Sequence, residues 1–357
     1  MAATPEELVD GLVARGSVPG AALVVLDGDG RVLVEHYAGA ADRDGARPVG
    51  ADTRFALASL TKPLVALAVL VAVEEGLADL DAPLADHVPG AAPQLSLRST
   101  LAHYSGLPEG VPTRTLGTGP TPSWDEARAA YARVAPERGV GERRVYSNPG
   151  YVLAGLTVEH AAGMPFERYL QEAVLGPLGM AATTLGLPQA LDDEAAWVRE
   201  PGLWAHGVPL FNGAEWRRQP SAASAGFATA PDYARFLALV LAAGRLPDGR
   251  HLIAAETLAE LTTNQGGALE GGVESFMTWP RADWGCGFEL RDAKERHWTG
   301  EALSDRAATH FGASGTLAFA DPGHGRAAVL LANRGTYSGW ILEPGAWPDL
   351  CAAIVRR

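Results

Sequence analysis

Between Phe55 and Leu70 the chain reads FALASLTKPLVALAVL, and this stretch limits the possible folds more than any other. The run Leu64–Val73 is apolar nearly all round, so as a helix it has no polar face to offer water and must be enclosed by the rest of the molecule. Ahead of it, Phe55-Ala56-Leu57-Ala58 reads as a strand that becomes the helix near Ser59. With Ser59 as the cap, Pro63 falls in the first turn, where a missing N–H leaves no acceptor unserved. Residues three apart share a helix face, so Ser59 and Lys62 are expected side by side, shielded from bulk water.

Lysine is nearly absent elsewhere. Of 29 basic residues only Lys62 and Lys294 are lysines, leaving 29 − 2 = 27 arginines. An ammonium shifts its pKa readily on burial and can then act as a base, which a guanidinium cannot. S-x-x-K is nevertheless a short pattern that also arises by accident, so partners elsewhere must decide.

At 357 residues the chain exceeds the length at which one core usually stops growing, and about two structural units are expected. Its 47% hydrophobic and 20% charged residues are those of a globular protein. A formal charge of −13 without a basic stripe argues against nucleic acid and anionic membrane as partners and suits a small neutral or cationic substrate. The N-terminal stretch MAATPEELVDGLVARG has no apolar core of signal-peptide length, and Leu64–Val73 is too short to span a bilayer, so a cytoplasmic protein is expected. Cys286 and Cys351 are too few for a disulfide framework and are expected as buried small side chains. The nine histidines are scattered, with none in H-E-x-x-H, and no G-x-G-x-x-G loop precedes a helix, so no metal or cofactor is expected.

Pro5–Arg15 reads as an amphipathic helix opened by Thr4, with Glu6 and Glu7 where the helix dipole favours them. Ala21–Leu26 and Arg31–Tyr37 flank Asp27-Gly28-Asp29-Gly30, a hairpin signal. Helical signals dominate from Ser96 to Thr262. They comprise Leu97–His103, Tyr151–Ala162 stopped by Gly163, Phe166–Val174 ended by Gly176-Pro177, and a helix opened by Thr229 that runs to Ala243. Trp284–Arg291, Ala307–Ala320 and Arg326–Asn333 then read as strands, and Pro348–Arg356 as a closing helix. The pattern is α/β at both ends and helical between, so the two ends are expected to complete one sheet.

Two later stretches can complete a site. Tyr146-Ser147-Asn148 precedes Pro149-Gly150 and a helix, a geometry that exposes a phenol and an amide, although tyrosine beside proline and glycine is also common at the rim of a core. His310-Phe311-Gly312-Ala313-Ser314-Gly315-Thr316 has glycines inside a β run, which mark a bulge or the close approach of a backbone or ligand. In chain order, Ser59-x-x-Lys62, Tyr146-x-Asn148 and His310-x-Gly312 resemble the three motifs of the serine β-lactamase and penicillin-binding superfamily. The likeness is to its class C β-lactamase branch, which includes carboxylesterases and D-aminopeptidases. The stretches GLADLDAPL at Gly76–Leu84, LAHYSGL at Leu101–Leu107, PLGM at Pro177–Met180, AGFATAPDYARF at Ala225–Phe236, WGCGF at Trp284–Phe288 and Ala332-Asn333-Arg334 extend it over nearly the whole chain.

The resemblance implies an α+β fold of β-lactamase/transpeptidase type. An antiparallel sheet flanked by helices is built from both chain ends, residues 1–77 and 283–357, and joined to a mostly helical domain, 78–282, with the site in the cleft between. It further implies Ser59 as nucleophile, Lys62 as its base and Tyr146 as a proton relay. Asn148 orients the lysine and substrate, His310, Phe311 and Gly312 meet the substrate, and the N–H groups of Ser59 and Ala313 form an oxyanion hole. The chemistry agrees, because a serine hydroxyl is a weak nucleophile until a neighbour takes its proton, and a desolvated amine can do so near neutral pH. Where antibiotic-hydrolysing relatives have K-T-G, this chain has His310 and Phe311, which weakens recognition of a substrate carboxylate and places apolar surface beside the nucleophile. Trp204, Trp216, Trp279 and Trp284 lie in segments that can line the cleft or simply pack.

The expected activity is therefore serine hydrolysis through an acyl-enzyme, foremost as a carboxylesterase on small or medium apolar esters. A β-lactamase, a D-amino-acid peptidase or amidase, or an acyltransferase is the alternative within the superfamily. A binding or sensing module that acylates without turnover is the alternative of another class. No serine sits in G-x-S-x-G, which argues against an α/β-hydrolase. Oligomeric state is not legible.

Overall fold

The computed structural model describes residues 2–111, 123–199 and 210–357. In its first part the order is α1 (Pro5–Ala14), β1 (Gly20–Asp27), β2 (Val32–Gly39), β3 (Phe55–Ala56), α2 (Thr61–Glu74), α3 (Leu97–Leu101), α4 (Trp124–Ala132), β4 (Arg144–Val145), α5 (Asn148–Ala162) and α6 (Phe166–Leu170). It continues with β5 (Thr184–Leu185), α7 (Ala214–Arg218), β6 (Gly226–Ala228), α8 (Ala230–Leu241), α9 (Ala255–Ala259), β7 (Gly271–Val273) and β8 (Met277–Trp279). The C-terminal part holds β9 (Glu289–Leu290), β10 (Ala308–Gly312), β11 (Thr316–Asp321), β12 (Arg326–Ala332) and α10 (Trp347–Arg356).

The two chain ends do complete one sheet. Its order is β2-β1-β12-β11-β10-β9, and each neighbouring pair is antiparallel. Central strand β1 is buried from Gly20 to Leu26 because successive side chains enter two different cores. Ala22, Val24 and Leu26 join the core that contains α2, α5 and α8, whereas Ala21, Leu23 and Val25 join one closed by α1, α10 and Trp298, Trp340 and Trp347. A strand covered on both faces reads as a continuous apolar run, which is why GAALVVL shows no alternation.

Helix α2 is buried from Thr61 through Ala72, as its all-round apolar sequence requires. It is packed by α5, α6 and α9. Thr4 opens α1 through a capping box with Glu7, and Gly163 ends α5 at φ 65°. Helix α8, which falls in the middle of the chain, lies against β1 and β12 of the sheet. Cys286 and Cys351 are both buried free thiols.

Three expectations change. Ala307–Ala320 is not one strand but the hairpin β10–β11, whose tight turn at Ala313–Gly315 uses Gly315 at φ 104°. Trp284–Arg291 contributes only β9, because Gly287 at φ 130° turns the chain back after Trp284. The helical middle also contributes strands to two small sheets, β3-β6-β5, which β3 joins from the first part of the chain, and β4-β7-β8, all too short to show a period-two pattern.

Candidate active site

Ser59 does not cap α2. It sits in a 3₁₀ turn, Ala58–Leu60, between β3 and the helix, and no side chain caps the helix start. The cause is Ala58, a non-glycine residue held at φ 46°. Such strain persists only where the surroundings over-determine it. Here the Ala56 carbonyl accepts from Ser314 Oγ at 2.5 Å, the Leu57 carbonyl accepts from Thr316 Oγ1 at 3.0 Å, and the Leu57 N–H donates to Gly226 O at 2.8 Å. Thr61 completes the clamp by donating its hydroxyl to Ala58 O at 2.7 Å and accepting the Gly226 N–H at 2.8 Å.

Lys62 has no exposed surface. Its Nζ lies 3.2 Å from Ser59 Oγ, 2.8 Å from Asn148 Oδ1 and 2.7 Å from the Ala223 carbonyl. Asn148 is fixed by the Glu109 carbonyl, which accepts its backbone N–H and its Nδ2 at 3.1 Å each. Burial pushes the Lys62 pKa well below the usual lysine range, against the opposing pull of the Glu109 charge. Charged, the group has three N–H donors for three acceptors. Neutral, it keeps donors for Asn148 and Ala223 and turns a lone pair toward the Ser59 hydroxyl.

Tyr146 lines the same cleft as Ser59. Its buried hydroxyl interacts with Ser59 but completes no hydrogen bond in the resting site, where Ser59 Oγ is engaged by Lys62. Burial drives the phenol pKa well above its ordinary value, and the contact with Ser59 only partly offsets this. The ring is held by His103 at 4.5 Å between centroids and Trp284 at 5.9 Å, and Lys62 Nζ lies 4.7 Å from its centre. His103 Nδ1 accepts the Ser147 N–H at 3.0 Å, and burial together with the Lys62 charge keeps this imidazole neutral. Sequence reasoning gave His103 no part, and its only signal was the LAHYSGL stretch.

His310 and Gly312 come from β10, with Ala313 opening the turn that follows. A side chain at Gly312 would collide with the Leu57 carbonyl and the Thr316 hydroxyl, so of the two readings left open by the sequence, a bulge or a close approach, the glycine marks the close approach of a backbone. The Gly312 carbonyl accepts from Gly315 N at 3.0 Å and Thr336 Oγ1 at 2.7 Å. Because the peptide is trans, the Ala313 N–H points the opposite way, and Ala313 lines the cleft.

A narrow cleft, open to solvent, lies between Ser59, Tyr146, Val273, Trp284, Glu289, His310, Phe311, Ala313 and Tyr337. Phe311 reaches it only at one side, since its ring packs on Phe276 at 5.0 Å and Trp298 at 5.1 Å, within the core on the sheet's other face. Of the four tryptophans considered, Trp284 lines the cleft, Trp279 stacks on His297, and Trp216 packs on Phe211 and Phe227. Trp204 lies outside the described residues. Burial alone would raise the Glu289 pKa, but Lys294 and His297, each 3.3 Å away, hold it at about 2. Among the described residues no group of three or more His, Cys, Asp or Glu is placed to hold a metal, and no helix is long and apolar enough to cross a membrane.

The buried lysine thus stands beside a serine on a strained turn, clamped by the β10–β11 hairpin, on a β-lactamase/transpeptidase fold. The Beta-lactamase family model matches residues 6–339, and the chain belongs to that family. It thereby falls in the serine acyl-hydrolase superfamily. Penicillin-binding protein 4 of Amycolatopsis lactamdurans is 29% identical over 360 residues, 95% of this chain and 87% of that one. A β-lactamase structure from Mycobacterium bovis is 32% identical, with a TM-score of 0.68 over 97% of both chains. A family VIII carboxylesterase structure superposes with a TM-score of 0.78 over 100% of this chain and 98% of its own; at 24% identity this shows a common fold.

Proposed function

We propose that the chain is a serine hydrolase that works through an acyl-serine intermediate, as a carboxylesterase on small or medium esters with apolar groups. The observation that supports this most is Lys62, a lysine without exposed surface whose Nζ is 3.2 Å from Ser59 Oγ. As a neutral amine it takes the Ser59 proton while the serine oxygen attacks the ester carbonyl. The N–H groups of Ser59 and Ala313 receive the oxyanion, each such donor being worth about 2.7–4 kcal/mol of barrier. The ammonium so formed is steadied by Asn148, the Ala223 carbonyl and the Tyr146 ring face. Tyr146 stays protonated because of its raised pKa, so it gives its proton to the departing alkoxide and is reloaded from Lys62. Water then cleaves the acyl-serine with the proton moving back along the same path. The same proposal places the cleft between a sheet domain, 1–77 and 283–357, and a helical domain, 78–282.

The preference for esters without a carboxylate rests on charge. No lysine or arginine lines the cleft among the described residues, and burial, aided by the Lys62 charge, lowers the His310 pKa to about 3. The position that carries a cation in K-T-G is thus neutral here, with acidic Glu289 nearby. A fluorophosphonate should add one mass to the peptide containing Ser59, and a butyrate ester should be turned over far faster than nitrocefin. Labelling at Ser105, Ser147 or Ser314 with Ser59 unmodified would overturn the mechanism, and comparable specificity constants would overturn the substrate class.

A further inference from the structure

His310 offers the cleft a lone pair. Its Nδ1 is 2.9 Å from the Phe311 carbonyl, which can only accept, so Nδ1 carries the hydrogen. In the neutral ring Nε2 is then an acceptor. It is buried, has no partner, and belongs to a residue that lines the cleft beside Ser59. A buried acceptor left without a donor is costly, so an occupant that brings an N–H or O–H gains by it. Trp284 Nε1, a donor, and Glu289 Oε1, which faces Lys294 and His297, also complete no hydrogen bond, while Tyr146 is engaged at Ser59 during the reaction.

A second observation concerns charge. Glu109 makes no ion pair among the described residues, yet its carboxylate is fixed in place by the Ser275 N–H at 3.1 Å and the Ser275 hydroxyl. Its own carbonyl holds Asn148, and its charge acts on Lys62, Tyr146 and Tyr337. Tyr337 and Trp284 add aromatic surface to the cleft, and ring faces attract cations.

We propose that the ester taken by this cleft carries a cationic amine, its charge matched by Glu109 and its N–H accepted by His310 Nε2. This rests on the reading of Ser59 as the nucleophile of that cleft. The body of the substrate is apolar and its reacting group an ester, while one end bears the ammonium.

The test compares the butanoate ester of dimethylaminoethanol with that of isoamyl alcohol, its carbon isostere, and with the choline ester, which has the charge but no N–H. Ethyl dimethylaminobutyrate and its carbon isostere repeat the comparison on the acyl side. In at least one orientation the tertiary ammonium ester is expected to exceed its isostere in kcat/KM by roughly tenfold. Glu109→Gln should collapse that ratio for both charged esters. His310→Phe should bring the dimethylamino ester down to the choline ester, and His310→Gln, which keeps an acceptor, should restore the difference. A turnover-free arm measures protection of Ser59 from a fluorophosphonate by dimethylaminoethanol against isoamyl alcohol, where only the amine should protect. Ratios near one in both orientations, with the isoamyl ester hydrolysed, would overturn this inference and leave the esterase standing. Loss of all ester turnover together with no labelling of Ser59 would overturn both.

Discussion

Replacing Lys62 by methionine or by arginine separates what the amine does in the reaction from what its burial costs the fold. Methionine keeps the apolar stem and removes the base, while arginine keeps a charge that no accessible pH removes. Both should lower the acylation rate by about 10²–10⁴-fold, the usual worth of a positioned base. Stability should move the other way with pH. A lysine in an unfolded chain titrates near 10.4, whereas burial sets Lys62 well below that, so between the two values the unfolded state holds one more proton. Wild-type stability therefore rises with pH across this window and is lost as pH falls through the folded value, with a slope approaching about 1.4 kcal/mol per pH unit. Lys62→Met lacks this slope. Its stability relative to wild type should accordingly improve as pH drops from 10, then level off, although Asn148 Oδ1 and the Ala223 carbonyl lose a donor at every pH. Stopped-flow acylation and urea unfolding between pH 6 and 10 measure the two effects. A folded Lys62→Arg enzyme that acylates within a few-fold of wild type, or a pH-independent stability difference for Lys62→Met, would refute the reasoning.

Tyr146→Phe removes a buried hydroxyl that completes no hydrogen bond, so thermal stability should hold or rise while turnover falls about 10²–10⁴-fold; unchanged turnover would leave Tyr146 a packing residue. Gly312→Ala places a methyl group against the Leu57 carbonyl and should cost about 1–3 kcal/mol in urea unfolding along with much of the acylation rate. Ser314→Ala leaves the buried Ala56 carbonyl without its side-chain donor and should cost about 1–3 kcal/mol, with a slower acylation because the strained turn at Ala58 loses a restraint. Wild-type-like unfolding curves for either variant would show that the sheet does not clamp the turn.

The parts of the fold that were legible are those in which local chemistry and tertiary demand agree. Thr4 with Glu7, Gly163 and the all-round apolar α2 each carry their own instruction, and the structure follows them. The misreadings lie where a contact distant in sequence decides. Ser59 looked like a helix cap because serine favours that position, but bonds from Ser314, Thr316 and Gly226 hold the turn in another shape. The β10–β11 hairpin hid inside one apolar run because both strands are buried on both faces, which erases the alternation that would have marked its turn. In the same way the sequence pairs Ser59 with Lys62 by spacing, but the carbonyls of Ala223 and Glu109 that orient the amine and the amide are backbone groups, and no side chain announces them.

The scarcity of lysine singled out two positions, and the structure shows what scarcity alone means. Lys62 and Lys294 are both buried, and the Nζ of each lies against three converging polar groups. A compact ammonium suits such a pocket and a planar guanidinium does not, which explains why arginine replaces neither. Rarity therefore reports the shape of the pocket. The difference in chemistry comes from the acceptors. Burial lowers the pKa of Lys294 too, but it faces Glu289 at 3.3 Å and two carbonyls, and the carboxylate in contact opposes that lowering. Lys62 has an amide oxygen, a carbonyl and a hydroxyl, with no carboxylate in contact, so burial prevails over the pull of the more distant Glu109 charge, and the hydroxyl is the only one of the three with a proton to give.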